Sequence, residues 1–351
     1  MNVAFVHATP AAETALARRT RYWAGLLADR GHDATVLCTR WWDGEYDEFE
    51  REGVTYRAIA ESPRWLVARL PGALSELGPD VVHAAASEPT AALAARLSGP
   101  PLVVEWCGRE EPKRLDRALS GADRVVVPSE HVRTKVRERD VEATVLPWGI
   151  PIERIRETEP SGSAALVWSG RLDEHANLEG LLLALAEFRY REWRALVIGD
   201  GPRKDEYEGL ARDLRVADRV DFVGERPMGD RIARLKGAHV FVHTADRCPF
   251  ARKLLLALAC GCVGIVEYQV DSAAHELIAG RTRGLGATDD EGIVAAIERA
   301  AELPQKEYDA GFEAFSHERV GDRYLDVLDE LGDQSASESA STSRLGDEPL
   351  R

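Results

Sequence analysis

The chain contains little cysteine and has no excess of basic residues, and each shortage excludes a class of protein. Its five cysteines are spread over 351 residues without a CxxC pair, so neither a disulfide framework nor a structural zinc site is indicated. We therefore expect a reducing, cytoplasmic location. Sixty acidic residues against 45 basic ones give a formal charge of -15. An acidic surface disfavours nucleic acid as a partner.

Long apolar runs are also missing. The longest run extends from Leu254 almost to Val266, whereas a helix that spans a bilayer needs roughly 20 apolar residues. The run breaks at Gly261, which predicts a helix that turns into a strand, with Pro249 at the helix start. The N-terminal "MNVAFVH" has no basic segment before its apolar residues and predicts a first strand rather than a signal peptide.

The sequence lacks the glycine motifs of two large nucleotide-binding classes. No glycine lies between His7 and Thr14, directly after the first predicted strand. A dinucleotide dehydrogenase generally needs glycine there, because its backbone approaches a pyrophosphate closely. The GxxxxGK[ST] pattern of P-loop nucleotide triphosphatases is absent as well. Both activities are therefore disfavoured.

Strand-like and helix-like segments alternate along most of the chain. "NVAFVH", an amphipathic helix and "HDATVLCT" form one βαβ unit, and a second series of strands follows a segment rich in Pro, Ser and Gly at residues 156–163. This alternation predicts an α/β fold of two tandem Rossmann-like, doubly wound domains whose strand ends face a cleft. The tail, residues 332–351, is poor in apolar residues and is predicted to be disordered.

Arginine far exceeds lysine, of which there are six. Together with the acidic excess, this composition is typical of proteins from a salty cytoplasm, where screening reduces self-repulsion. A genome that favours arginine codons is the alternative. Composition leaves both open.

The second half contains a series of short motifs at strand ends. Gly170 and Arg171 follow a strand, where a guanidinium can bind a phosphate with two hydrogen bonds, although it can equally pair with a surface carboxylate. In order, the motifs are GRL at 170–172, GDGP at 199–202, FVG at 222–224, ALACG at 257–261 and HEL at 275–277.

Their order and spacing resemble the donor-binding half of the retaining glycosyltransferases of the GT-B fold, family 4. The first half matches that family only in outline. The resemblance implies a hexosyltransferase that moves a sugar from a nucleotide-sugar donor to an acceptor hydroxyl with retention, without a metal or other cofactor. It implies a glycan or lipid-linked acceptor in cell-surface polysaccharide, glycolipid or protein glycan assembly, and a peripheral contact with the inner face of the membrane.

The resemblance also implies an organisation and a set of site residues. Residues 1–155 would form the acceptor domain and 163–310 the donor domain, and a helix within 311–331 would cross back to the first domain. The donor diphosphate would contact Gly170, Arg171, Pro249, Phe250, Ala251, Arg252 and Lys253. The region of the nucleotide base would contain Gly201, Gly224 and Arg226, and the acceptor-side loops would contain Ala11, Ala12, Glu13 and Cys107.

Several positions depart from the family pattern. The two family glutamates fall on Cys248 and Leu256, and the lysine that follows the GRL arginine falls on Ala176. The catalytic group is therefore open, with Asp246 and Cys248 as candidates. Two hypotheses remain, an altered transferase and a GT-B binding or regulatory protein without turnover. A GT-B epimerase is disfavoured, since the sequence offers no paired acid and base.

Overall fold

The computed structural model describes residues 1–109, 111–162, 164–188 and 192–345, with the backbone alone over 333–345. It divides into two compact units, one formed by Met1–Pro147 with Glu318–Arg351 and the other by Trp148–His317. The units divide at Pro147, earlier in the chain than residue 155. Ser163, where the sequence places the start of the donor domain, lies outside the described residues.

The first unit is built on a sheet that has eight strands in the described part of the chain, in the order β3-β4-β2-β1-β5-β6-β7-β8. Neighbouring strands are parallel except for β3, which pairs antiparallel with β4. The acidic, aromatic sequence of residues 41–53 interrupts the alternation of strands and helices and predicts a loop; the structure instead has a strand within it. The strands are β1 Asn2–Val6, β2 Asp33–Thr39, β3 Glu48–Arg51, β4 Val54–Ala60, β5 Val81–Ala85, β6 Leu102–Glu105, β7 Arg124–Val127 and β8 Thr144–Val145.

Helices cover this sheet because each buries one apolar face. In α2 the buried residues Leu66, Leu70 and Leu74 recur every four positions, while Trp65 on another face is 63% exposed. A proline lies at the start of α2 and of α3, where its missing N–H costs nothing. The helices are α1 Ala15–Ala28, α2 Pro63–Leu77, α3 Pro89–Arg96, α4 Leu115–Ser120 and α5 Glu130–Arg137.

The second unit has a six-stranded parallel sheet among its described residues, in the order β11-β10-β9-β12-β14-β16. A separate two-stranded parallel sheet pairs β13 with β15. The strands are β9 Leu166–Ser169, β10 Ala195–Ile198, β11 Val220–Gly224, β12 Val240–His243, β13 Arg247–Cys248, β14 Val263–Glu267, β15 Asp271–Ser272 and β16 Gly284–Ala287.

The helix predicted from the apolar run begins at Arg252, so the prediction that Pro249 opens it is wrong. Its residues from Leu254 to Ala259 are buried, and Gly261 then turns the chain with φ 88° into β14. A Cβ at Gly261 would lie 2.5 Å from the carbonyl oxygen of Lys306, so glycine is required there. The helices of this unit are α6 Ile152–Glu157, α7 Leu178–Glu187, α8 Lys204–Asp213, α9 Met228–Gly237, α10 Arg252–Ala259 and α11 Asp290–Ala301, with 3-10 turns at Ala274–Leu277 and Ala310–Phe315.

The final helix, α12 His317–Leu345, belongs to the first unit from Glu318 onward. It buries Val320, Tyr324 and Leu328 in one cluster with strand residues that include Val3 and Phe5. The backbone is helical over 332–345, and residues 346–351 of the tail predicted to be disordered lie outside the described residues. Among the described helices, none combines the length and the apolar character that crossing a bilayer requires.

Candidate functional site

Each large sheet has one point where its strand order reverses. In the first unit β1 lies between β2 and β5, and in the second β9 lies between β10 and β12. In the first sheet the connections after β1 and β5 lead to opposite sides, and in the second sheet those after β9 and β12 do the same. This divergence opens a crevice at the carboxyl ends of the two strands, where α/β proteins bind ligands. The polar residues directly after β1, β5, β9 and β12 are therefore the first candidates for a functional site.

The loops after β9 and β10 approach each other so closely that only glycine fits. A Cβ at Gly199 would lie 1.8 Å from the carbonyl oxygen of Gly170, and one at Gly201 would lie 2.2 Å from that of Leu172. The Gly170 amide donates to the backbone carbonyl of Ile198, and the Leu172 amide donates to the backbone carbonyl of Asp200 at 2.9 Å. The GRL and GDGP motifs thus form one interlocked edge of the sheet.

A buried threonine ties the loop after β9 to the loop after β12. The Thr244 hydroxyl accepts from the Trp168 indole at 3.0 Å and donates to the carbonyl of Ala176 at 2.8 Å. Asn177 donates to the Thr244 carbonyl at 3.3 Å and to the Glu267 carboxylate at 2.9 Å. These hydrogen bonds fix the positions of the side chains on both sides of the crevice.

His175 and Asp246 form a hydrogen-bonded pair across this crevice. His175 Nδ1 lies 3.0 Å from Asp246 Oδ1, and the His175 backbone amide donates to Asp173 Oδ1 at 3.0 Å. Both side chains are partly exposed, at 28% and 46%. The Asp246 carboxylate therefore orients the imidazole, whose Nε2 lies 3.6 Å from the exposed Glu174 carboxylate.

Positive charge lies on the same edge of the sheet. The Arg171 side chain is 72% exposed, and its Nε lies 3.6 Å from Asp173 Oδ2. Arg252 and Lys253 are in the first turn of α10, where the sequence places them. The Arg252 guanidinium lies 4.8 Å above the ring of Trp148, so it is oriented by an aromatic face.

Two further ionisable groups at this edge are buried. Burial and the neighbouring Lys253 lower the pKa of His243 to about 4, so its imidazole is neutral at pH 7. Burial raises the pKa of Glu267 above its ordinary value, although hydrogen bonds from Asn177 and Gln269 oppose that shift. Glu267, the last residue of β14, is thus held by amide side chains at the sheet edge.

The residues predicted for the nucleotide base lie at the ends of β10 and β11. Gly224 has φ 71°, and its carbonyl accepts from the Gly199 amide at 3.1 Å. Arg226 Nε lies 3.5 Å from Asp230 Oδ2. Gly201 is part of the interlocked loop described above. The structure therefore brings Gly201 and Gly224 to adjacent strand ends.

Cys248, Leu256 and Ala176, which stand where the family has charged residues, have apolar surroundings. Leu256 is 3% exposed and Ala176 is 2% exposed. The Cys248 side chain is half-buried against the same apolar cluster that contains Leu256. Pro249 and Phe250 are half-buried and Ala251 is buried, so this segment presents mainly its backbone.

In the first unit, the predicted acceptor-side loop lies directly after β1. Ala11 and Glu13 are exposed and Ala12 is half-buried. Arg21 of α1 donates to the carbonyl of Ala12 at 3.1 Å and so holds the loop on the helix. Cys107 is 3% exposed and packs with Leu16 and Ala85, away from the loop surface.

Sequence reasoning missed three residues that the structure brings to the crevices, His175, His7 and Glu88. His7 follows β1 and Glu88 follows β5, and the two side chains lie 3.4 Å apart at the reversal point of the first sheet. His7 directly follows the apolar strand β1, and that position can be read from the sequence, whereas Glu88 and His175 lie further along the loops after β5 and β9. Their pairing depends on strand order, which one sequence does not display.

The next feature is the set of side chains that could bind a metal ion. Within the described ranges, no cluster of three or more His, Cys, Asp or Glu side chains could hold a metal ion. The histidine–carboxylate pairs at the two reversal points each supply two such side chains.

Two family models match the chain, one over each half. The model of glycosyl transferases group 1 matches residues 150–315, and that of glycosyltransferase family 4 matches residues 16–154. Among solved structures, Anabaena Alr3699/HepE in complex with UDP has a TM-score of 0.70 at 16% identity, with 97% of this chain and 100% of that chain covered. At that identity the likeness establishes the GT-B fold, with two Rossmann-like domains.

Two curated relatives are more similar in sequence. The lipopolysaccharide core biosynthesis glycosyltransferase LpsD of Rhizobium meliloti is 26% identical over 200 residues, or 51% of this chain. The alpha-monoglucosyldiacylglycerol synthase of Streptococcus pneumoniae is 24% identical over 238 residues, or 60% of this chain. The matches span 53% of each relative's own length. With both halves matched by family models and the fold shared throughout, the chain belongs to the glycosyl transferases group 1 of the GT-B fold.

Proposed function

We propose that the protein transfers a sugar from a nucleoside-diphosphate sugar to an acceptor hydroxyl, with retention at the anomeric carbon and without a metal. The observation that carries this proposal is the carboxyl edge of the second sheet. Arg171, the His175–Asp246 pair and the start of α10 follow its two central strands. Family membership and the UDP bound to the Anabaena structure support a nucleoside diphosphate as the ligand of this edge.

The leaving diphosphate is stabilised by fixed positive charge and by backbone amides. Arg171 is exposed enough to place its guanidinium on a phosphate. The residue at the N-cap of α10 is Ala251. Its side chain has no hydrogen-bonding atom, so it does not cap the helix, and the partial positive charge of the helix start is available to an anion. Groups already aimed at the departing oxygens lower the barrier without reorganisation.

His175 substitutes for the phosphate-binding donor that Ala176 does not supply. Its Nδ1 is held by Asp246 at 3.0 Å, and its Nε2, which lies 3.6 Å from the exposed Glu174 carboxylate, exchanges that neighbour for a phosphate oxygen when the donor binds. An imidazole N–H aimed at a departing phosphate oxygen stabilises the charge that develops on the leaving group. In this mechanism Asp246 orients His175 and does not contact the sugar.

The acceptor is a hydroxyl of a glycan or of a lipid-linked sugar, in the assembly of a cell-surface polysaccharide, glycolipid or protein glycan. The names of the two relatives, one in lipopolysaccharide core biosynthesis and one a glucosyldiacylglycerol synthase, support this class. We place the protein in the cytoplasm, in peripheral contact with the inner face of the membrane, where such acceptors are presented.

The second candidate is a GT-B binding protein without turnover. It is favoured by the apolar packing of Leu256 and the burial of Ala176, since a transferase with the family's carboxylate and lysine would have polar groups at both positions. The two candidates agree on nucleotide binding. They differ on whether product forms.

The test of nucleotide binding is calorimetric titration of Arg171→Ala and the wild type with UDP and with uridine. A hydrogen bond between charged groups is worth about 1.5 to 3 kcal/mol, so UDP binding should weaken about ten- to a hundredfold while uridine binding stays the same. Arg194→Ala is the matched control, because Arg194 is 59% exposed, pairs with Asp221 and precedes β10 at the opposite edge of the sheet.

Equal losses for UDP and uridine would assign Arg171 to the fold alone. If the wild type binds neither UDP nor any other nucleoside diphosphate in a panel, the donor site is absent. Radiolabelled UDP-glucose offered with methyl glycosides then separates the two candidates. Binding without labelled glycoside or free glucose would favour the binding protein.

A further inference from the structure

The two central strands of the second sheet end in buried polar side chains. Ser169 is the last residue of β9 and His243 is the last residue of β12, and the two residues are 6% and 7% exposed. Each lies two residues after a partner in the ladder that pairs Val167 with Phe241. Ser169 and His243 therefore end adjacent strands at the reversal point of this sheet, at the same level.

Both side chains lie on the face of the sheet that α10 covers. Val167 and Phe241 belong to the apolar cluster that contains the buried residues of α10. Successive side chains of a strand point to opposite faces, so residues two apart share a face. Ser169 and His243 thus extend the two rows of side chains that pack against α10, and they lie beyond the apolar part of those rows.

The start of α10 gives this face its positive charge. Burial and the nearby Lys253 lower the pKa of His243 to about 4, so the imidazole is neutral at pH 7 and lies beside a cation of the first helical turn. Val266, which pairs with His243 in the ladder, packs in the same cluster, so the carboxylate of Glu267 points to the other face. The surroundings of His243 on this side therefore favour an anion.

Two polar atoms on this face lack hydrogen-bond partners. Within the described ranges of the chain, neither Ser169 Oγ nor His243 Nε2 forms a hydrogen bond. Buried polar groups are nearly always paired, because an unsatisfied one is destabilising. A hydroxyl can donate, and a neutral imidazole can carry its proton on Nε2. Both atoms can therefore donate to an oxygen of a bound anion.

We propose that Ser169 and His243 form the inner wall of the diphosphate site, where each donates one hydrogen bond to an oxygen of the phosphate bound at the start of α10. This inference rests on the proposed function and adds two binding residues to it. Arg171, two residues after Ser169, is 72% exposed and contacts the diphosphate from the solvent side. The buried pair contacts it from the sheet side and so fixes the position of the leaving phosphate.

The first test compares His243→Leu with the wild type in two measurements. Calorimetric titration should show UDP binding weakened about ten- to a hundredfold, because the variant loses a hydrogen bond to a charged group. Thermal unfolding without ligand should show a melting temperature that is unchanged or higher, since Nε2 has no protein partner to lose among the described residues. A histidine that serves the fold alone would show the reverse, a lower melting temperature and unchanged UDP affinity.

Two further variants control for the loss of a histidine as such. His239 lies before β12, at the amino end of the same strand, and its Nε2 is 2.7 Å from the carbonyl oxygen of Ala300. His239→Leu should therefore lower the melting temperature and leave UDP affinity unchanged. His243→Gln keeps an N–H donor near the Nε2 position and should bind UDP more tightly than His243→Leu does.

A second experiment observes the imidazole directly. In protein with 15N-labelled histidine at pH 7, the side-chain signals of His243 should shift when UDP binds, and also when inorganic pyrophosphate binds. The signals are assigned by their absence in His243→Gln. The signals of His239 should not move with either ligand.

The outcomes separate this inference from the proposed function. Equal UDP affinity in His243→Leu and the wild type, or a His243 signal that neither UDP nor pyrophosphate moves, would overturn the inference, and transfer of labelled glucose in the same protein would leave the proposed function intact. A His243 signal that pyrophosphate moves in a protein that binds no nucleoside diphosphate would support the phosphate site and refute the proposed donor.

Discussion

At the scale of single residues, close contacts between backbone segments determine the geometry of the carboxyl edge of the second sheet more than charged side chains do. Gly199 has φ 147°, and a Cβ there would overlap the Gly170 carbonyl oxygen at 1.8 Å. No side chain can be accommodated without separating the loops after β9 and β10. These loops contain Arg171 and Gly201. A side chain at position 199 would therefore displace the Arg171 guanidinium.

Gly199→Ala should therefore destabilise the second unit by about 3 kcal/mol, because overpacking and backbone strain add. Urea unfolding measures the loss. Gly209→Ala, in the interior of α8 with only an ordinary 3.8 Å contact, is the control and should gain about 0.5 to 1 kcal/mol. Similar values for the two variants would mean that the loops after β9 and β10 do not interlock as described.

The GDGP motif lies between a strand-like and a helix-like sequence, a position typical of tight turns, and the structure has Gly199 and Gly201 between β10 and α8. The requirement for glycine, however, comes from the carbonyl oxygens of Gly170 and Leu172, and that approach depends on β9 and β10 being neighbours. His7 and Glu88 escaped prediction for the same reason.

At the scale of elements, α12 is joined to the first sheet by a buried polar network as well as by apolar packing. The Tyr324 hydroxyl and His83 Nδ1 form a hydrogen bond of 2.6 Å, and His83 Nε2 lies 3.5 Å from Glu105. Burial opposes ionisation of Glu105, but Arg19 and His83 outweigh it and lower the pKa of Glu105 to about 2. The carboxylate is therefore charged within the core and needs these partners.

Tyr324→Phe should destabilise the first unit by about 1 to 3 kcal/mol, since it removes the hydroxyl and leaves a buried imidazole nitrogen unsatisfied. Equilibrium unfolding in urea measures it, with Tyr46→Phe as the control because Tyr46 is 53% exposed. A neutral Tyr324→Phe would show that α12 is attached by its apolar face alone.

Element order was the part of the fold that the sequence predicted best. Alternating apolar and amphipathic segments predicted both sheets, since parallel strands buried on two faces are nearly continuous in apolar residues, as β1 and β14 are. The acidic, aromatic sequence of residues 41–53 predicts a loop and not β3, because Glu48–Arg51 is mostly exposed on an edge strand. Such a strand depends on its neighbour β4 rather than on its own pattern.

At the scale of the whole molecule, net charge and ion pairing act against each other. Sixty acidic residues against 45 basic ones leave a charge of -15, and this excess repels itself. Many arginines nevertheless pair with carboxylates at the surface, such as Arg96 with Asp123 and Arg139 with Glu111. Exposed pairs of this kind contribute about 0 to 1 kcal/mol each. Salt weakens both effects, so the sign of its influence shows which is larger.

We expect the melting temperature to rise with NaCl, because self-repulsion grows with the square of the net charge whereas each exposed pair contributes little. Differential scanning calorimetry between 10 mM and 1 M NaCl measures it. The screening length falls from about 30 Å at 0.01 M to about 8 Å at 0.15 M. Most of a gain that comes from screening should therefore appear below 0.15 M.

The shape of that curve separates the two origins of the acidic composition. A rise that is complete by 0.15 M reflects screened repulsion, which any strongly acidic protein shows. A rise that continues to 1 M requires salts that act by exclusion from the surface, and would favour adaptation to a salty cytoplasm over codon preference. A melting temperature that falls as salt is added would mean that the arginine–carboxylate pairs outweigh the repulsion, contrary to the expectation from net charge.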